Sequence, residues 1–170
     1  MLEHLWNGWR ATYVSSVPTG GLDSPSGVGS VFTRILKSGL PDTDTNIVFR
    51  GRDVFAILNA YPYATAHVLV LPLREVADLE ALTGDETAEL WATVTDAVRA
   101  VKAAYTPEGV NVGINLGRPA GGSISQHLHV HVVPRWTGDS NFMTAVANTR
   151  TLPEPLVDTA ARVRAAWPRS

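Results

Sequence analysis

Three of the chain's five histidines fall within Gln126-His127-Leu128-His129-Val130-His131-Val132. Imidazole titrates near neutrality, so at pH 7 it can attack, donate or accept. On an extended strand side chains alternate. That puts His127, His129 and His131 on one face and Leu128, Val130 and Val132 on the other. Three readings suit such a face. It could be the solvated side of an amphipathic strand, although His is a rare filler. It could ligate a metal, but no nearby carboxylate completes a ligand set. Or it could act on phosphate. A neutral imidazole that attacks phosphorus splits one difficult displacement into two, and neighbouring imidazoles and backbone N–H groups stabilise the developing charge. Gly121-Gly122-Ser123, just upstream, favours the last reading. Glycines let backbone N–H groups approach an anion, and the Ser hydroxyl adds a donor. His67 follows a Pro-containing turn and is either structural or a fourth imidazole of the same site.

The elements that must position these residues read as α+β with an antiparallel sheet. Residues 46–50 and 54–58 flank Gly51-Arg52-Asp53 as a hairpin. Residues 67–71 are a third strand closed by Pro72, 110–116 a fourth, and 126–133 a fifth closed by Pro134. Thr83 and Glu86 have capping-box spacing, and the helix after them presents Leu90, Val94, Ala97, Val98 and Val101 on one face before Pro107. Residues 31–37 suit a short helix stopping near Gly39 and Pro41. Around this core, residues 1–14 read as an amphipathic helix carrying Leu5, Trp6, Trp9 and Tyr13. Residues 15–30 form a Gly/Ser/Pro-rich loop, 31–145 the main domain, and 146–170 an extension with a last helix over 155–167.

Composition narrows the function classes. The chain has 170 residues, 45% apolar and 18% charged, which fits one globular domain. Its net charge is -2 and it has no basic run, which argues against a nucleic-acid partner bound by broad phosphate neutralisation. No apolar stretch approaches the ~18 residues of a spanning helix, so a membrane partner is not expected. The opening Met1-Leu2-Glu3-His4 has neither the basic start nor the apolar core of a secretion signal, and the expected location is cytoplasmic. There are no cysteines, so disulfides, thiolate zinc sites and Cys nucleophiles are excluded.

The run from His127 to Val133 resembles the H-φ-H-φ-H-φ-φ signature of the histidine triad (HIT) superfamily. The stretch from Leu58 to Pro72, which includes Asn59, Tyr61-Pro62-Tyr63 and His67, is similar to that family's N-terminal nucleotide-binding segment. Asn115-Leu116-Gly117, Gly121-Gly122-Ser123 and His131-Val132-Val133-Pro134-Arg135-Trp136 fit as well. So do Gly138-Asp139-Ser140-Asn141-Phe142 and Leu5-Trp6-Asn7-Gly8-Trp9-Arg10, which resemble the actinobacterial diadenosine tetraphosphate phosphorylase group. The resemblance implies a HIT-like α+β fold with about five antiparallel strands, one long helix, short terminal helices and a homodimeric assembly. It implies His129 as nucleophile at the α-phosphorus, with the His127 carbonyl holding its other nitrogen. His131 and His67 would bind α-phosphate oxygens, and His127 would sit near the leaving group. Asn59 would bind the ribose. Asn115, Gly122, Ser123 and Gln126 would line the phosphates. Ile57 and Leu69 are candidates for the base pocket or simply core, and Trp136 either stacks on a distal base or packs.

The implied reaction is cleavage of diadenosine polyphosphates, by inorganic phosphate or by water. Arg135 and Arg118 are candidates for the phosphate site or plain surface charges. Adenosine phosphoramidate cleavage, nucleotide sensing without turnover and metal-dependent hydrolysis are the alternatives. Related phosphorylase-like members often carry C-x-x-C that helps bind structural zinc, whereas the corresponding stretch here is Ser30-Val31-Phe32-Thr33. The expectation is therefore no structural zinc and no tightly bound cofactor. Packing alone would hold residues 31–37, and any divalent cation would arrive with the nucleotide.

Overall fold

The computed structural model describes residues 29–122, 124–139 and 153–168. The expected helix over 1–14, most of the 15–30 loop, Ser123 and residues 140–152 lie outside the described residues. Five strands form one antiparallel sheet: β1 (Ile47–Arg50), β2 (Val54–Leu58), β3 (Val68–Pro72), β4 (Gly109–Ile114) and β5 (Val130–Arg135). Their order is β1-β2-β3-β5-β4. The helices are α1 (Val31–Lys37), α2 (Asp42–Thr45), the long α3 (Gly84–Tyr105) and α4 (Leu156–Ala165), with 3-10 turns at Leu79–Ala81 and Arg118–Ala120. Neither α2 nor the 3-10 turns are anticipated from the sequence. They are single turns with too little periodicity to register.

Alternation sorts the strands onto two faces. One face sends Val54, Ala56, Val68, Val70, Val130 and Val132 against Leu90, Val94, Ala97, Ala100 and Val101 of α3 and Ala160 and Val163 of α4. The other sends Ile47, Phe55, Ile57, Leu69 and Leu71 against Phe32, Val31, Ile35 and Leu36 of α1. α3 starts at the expected capping box: Thr83 Oγ1 accepts from the Glu86 N–H, and the Glu86 carboxylate accepts from the Thr83 N–H. Arg74 donates to both Glu86 oxygens, at 2.9 and 2.7 Å, and ties the chain after β3 to the helix start. Glu89, on α3, accepts from the turn amides of Arg52 (2.7 Å) and Asp53 (3.1 Å) and so caps the β1–β2 hairpin. α4 is fastened to β1 by Arg164 Nη2, which donates to the Ile47 carbonyl at 2.7 Å, and by Trp167 stacked on Phe49 at 5.0 Å.

The fifth strand differs from expectation. It begins at Val130, and residues 126–129 are irregular. β3 and β5 pair at Val70↔Val130, and the next hydrogen-bonding step toward Leu128 would meet Pro72. Proline has no N–H to give, so the ladder stops there. Pro72 does close β3, as its last residue, whereas Pro134 lies one residue inside the end of β5. Both are still paired, with Val54 and Val110 respectively, and lie past the end of the β3–β5 ladder. That is where a missing donor costs nothing.

Candidate active site

The site lies on the α1 face, where β3 and β5 run side by side. Leu69 faces His131 across the ladder, so His131 projects on the same side as the Phe32 cluster. His129 and His127 keep this side although they precede the strand. Leu128 is buried with Val130 and Val132 in the opposite core. The shared histidine face therefore holds, while the continuous strand does not. All four imidazoles are buried: His67 is 1% exposed, His127 0%, His129 7% and His131 9%.

Hydrogen bonding fixes where the protons sit. The His129 Nδ1–H donates to the His127 carbonyl at 2.8 Å, because a carbonyl only accepts. In a neutral ring this leaves the lone pair on Nε2. His67 Nδ1 accepts from the Tyr63 N–H at 3.1 Å, so its proton is on Nε2, which donates to His131 Nδ1 at 2.9 Å. His131 in turn keeps its proton on Nε2, so the Asn115 amide, 3.4 Å away, meets that N–H with its oxygen once the amide is turned over. Burial lowers the pKa of His127 and His129. It does the same to His131, which burial and then the neighbouring His129 bring down to about 4. All three rings are neutral at pH 7. His129 is then a free nucleophile, with a donor N–H on His131 beside it, their ring centroids 4.9 Å apart.

The other residues singled out in the sequence divide in two. Asn59 joins the site: its amide lies 3.3 Å from His67 Nδ1, and its Oδ1 accepts from the Tyr61 N–H at 3.0 Å. Asn115 joins through His131. Gly122 is buried in the loop after Asn115, and a Cβ there would come within 3.1 Å of the Gly117 carbonyl and 3.3 Å of the Asn115 carbonyl. A side chain there would require one of those backbone carbonyls to move. Gln126 stands half-buried in the irregular stretch before His127. Ile57 and Leu69 are core members of the Phe32 cluster. Trp136 is not brought to the histidines. It follows the far end of β5, five residues past His131, or ~16 Å along a strand. Arg135, also at that end, is held by both oxygens of Asp139 and by Asn111. Arg118 begins the 3-10 turn inside the Gly117–Gly122 loop.

Several neighbours escape sequence reasoning. Phe32 sets its ring 5.6 Å from both His127 and His129. Tyr63 stacks on His131 at 5.8 Å and lies 4.7 Å from His67. Its place in the Tyr61-Pro62-Tyr63 corner, four residues before His67, was the available signal. Ser30, Thr33 and Glu75 surround the outer nitrogen of His127: Ser30 Oγ is 2.8 Å from His127 Nδ1, and Glu75 accepts from the Ser30 N–H at 2.8 Å and from the Thr33 hydroxyl. Residues 31–37 are thus held by hydrogen bonds as well as by packing. These contacts join residues 30, 75 and 127, and no local pattern announces them. A zinc ion suits thiolate and imidazole ligands. Two hydroxyls and a carboxylate already spent on each other do not fit it. Among the described residues, no group of three or more His, Cys, Asp or Glu could hold a metal.

Comparison with known proteins agrees with this geometry. The HIT domain model matches residues 41–138, more than half of the chain. AP-4-A phosphorylase of Mycobacterium tuberculosis is 43% identical over 169 residues, covering 99% of this chain and 86% of that protein. Bis(5'-adenosyl)-triphosphatase of Saccharomyces cerevisiae is 34% identical over 91 residues, covering 53% of this chain and 44% of that one. Among solved structures, a Hit-like protein from Bartonella henselae superposes with a TM-score of 0.66 at 26% identity, covering 80% of this chain and 94% of that one. With its α+β fold, open five-stranded antiparallel sheet and three clustered imidazoles, the chain belongs to the HIT family.

Proposed function

We propose that the chain cleaves diadenosine tetraphosphate by phosphorolysis through a nucleotidyl-His129 intermediate. His129 Nε2 forms a bond to the α-phosphorus as the bond to the bridging oxygen breaks, and ATP leaves. A phosphate oxygen then attacks the same phosphorus, the P–N bond breaks, and ADP is released with free His129. The observation that carries this reading is the 2.8 Å bond that commits the His129 proton to the His127 carbonyl. His131 Nε2–H, Asn115 and the buried Gly122 backbone supply donors for the phosphates. His67 acts through His131, and Asn59 serves the ribose. Ile57 and Leu69 form the apolar floor beside them. Trp136 enters only if a distal base reaches the far end of β5. Arg118, on the Gly122 loop, is the candidate cation for the acceptor phosphate. No tightly bound metal takes part in the reading, and a divalent cation would come with the nucleotide.

The similarity to M. tuberculosis AP-4-A phosphorylase over nearly the whole chain supports phosphate as the acceptor. The shorter similarity to the yeast triphosphatase supports hydrolysis as a second reading. Anion-exchange analysis of products formed with and without inorganic phosphate separates them. ADP plus ATP only with phosphate is expected, and AMP plus ATP without phosphate would replace phosphorolysis by hydrolysis. Assembly belongs to the same reading: β4 is an edge strand with Val112 exposed, which suits a homodimer contact. A monomer in sedimentation velocity would remove that part.

A further inference from the structure

His127 has both ring nitrogens engaged, and the partners fix its state. Nε2 lies 2.8 Å from the Pro72 carbonyl, which can only accept, so Nε2 carries the proton. Nδ1 of the neutral ring therefore accepts from the Ser30 hydroxyl at 2.8 Å. The Ser30 oxygen itself accepts from the Thr33 N–H at 3.1 Å. Glu75 takes the Thr33 hydroxyl proton and the Ser30 N–H. Burial alone would raise the Glu75 pKa, but the hydrogen bonds from Thr33 and Ser30 hold it below the usual carboxylate value, so it is an anion at pH 7. Every side-chain donor among these four residues has an acceptor. The ring so anchored belongs to the residue whose carbonyl holds His129. The same peptide group is held at its other end, where the Leu128 N–H donates to the Val76 carbonyl at 2.6 Å.

We propose that Ser30, set by Thr33 and Glu75, is a positioning residue for catalysis: its hydroxyl fixes the His127 ring, and with it the His127 carbonyl that orients His129. Ser30 and Thr33 are the positions that the resemblance matches to C-x-x-C, and here they hydrogen-bond to His127 and Glu75. The inference rests on His129 being the nucleophile. Ser30 also caps α1, so loss of the cap must be told apart from loss of positioning. Thr83→Ala is the control, because it removes a helix cap far from the histidines.

The test compares Ser30→Ala, Thr33→Val, Thr33→Ser and Thr83→Ala in the full-length protein. Turnover of diadenosine tetraphosphate is measured together with long-range 1H–15N correlations of histidine side chains. We expect kcat to fall about 10- to 100-fold in Ser30→Ala, and less in Thr33→Val, with KM within about twofold. Thr33→Ser should restore it, and Thr83→Ala should lose melting temperature but keep kcat. The wild type should show His127 protonated on Nε2 and His129 on Nδ1, and Ser30→Ala should blur both assignments. An unchanged kcat in Ser30→Ala, an Nδ1–H tautomer at His127, or an equal kcat loss in Thr83→Ala would each overturn the proposal. A wild type that turns over no diadenosine tetraphosphate defeats the functional reading instead. The His129 tautomer in Ser30→Ala then still decides the positioning: unchanged, it sinks the inference.

Discussion

On the α3 side of the sheet, Val54, Ala56, Val68, Val70, Val130 and Val132 meet a helix stripe of the same character. On the α1 side, one residue along the same strands, His131 stands beside Leu69 and beneath Tyr63, and Phe32 lies against His127 and His129. The first layer needs only volume and apolarity, which many side-chain combinations supply. The second needs a partner for each of several ring nitrogens, because a buried polar group without one costs ~1–3 kcal/mol. One face is therefore specified by pattern and the other by contact. Stability should concentrate on the first, activity on the second.

The sharpest way to break this division is His129→Ala. Turnover should fall about a thousandfold or more while the melting temperature shifts by a few degrees. Near-full activity would end the assignment of the nucleophile. On the other face, Leu90→Ala should cost about 3 kcal/mol in urea unfolding and leave the kcat of the folded fraction unchanged. A large kcat loss would show that the two layers are coupled.

Acid should separate the faces as well. The folded pKa of His131 is about 4 against 6.5 for the ordinary group, so the unfolded chain binds the extra proton first. The stability linked to it is complete above about pH 6.5 and is lost as the pH falls toward 4. Glu86, held to about 2 first by Arg74 and then by the Thr83 N–H, keeps its contribution above its ordinary 4.5 and loses it toward 2. Two acid steps are thus expected in stability against pH. His131→Asn should shrink only the upper one, which the lowered pKa values of His127 and His129 share, and a change in the lower step instead would reverse the assignment. The smallest effect is Thr83→Ala, about 1 kcal/mol from the α3 cap with activity kept.

The sequence carried the helix face well, because Leu90, Val94, Ala97 and Val101 repeat at the helical period and Thr83 and Glu86 mark the start. It also carried the histidine face, since the alternation of His129, Val130 and His131 survives. The true start of β5 was hidden. It depends on Pro72, which blocks a ladder from the neighbouring strand nearly sixty residues earlier in the chain. Ser30 and Thr33 were marked only as the stretch corresponding to C-x-x-C, and their hydrogen bonding with His127 and Glu75 was hidden for the same reason: it is a contact between distant segments. Trp136 was left between stacking on a distal base and plain packing, because sequence order alone does not say how far from the histidines it stands. The strand places it at the far end of β5 from His131.

The carboxylate of Glu89 joins the tip of the β1–β2 hairpin to the second turn of the long helix. Amides at an exposed hairpin tip ordinarily trade their hydrogens with solvent within seconds. Those of Arg52 and Asp53 can do so only when hairpin and helix part. In deuterated water they should mark time with the central strands, and the slow uptake at this corner would clock the separation of helix from sheet, not the fraying of a loop.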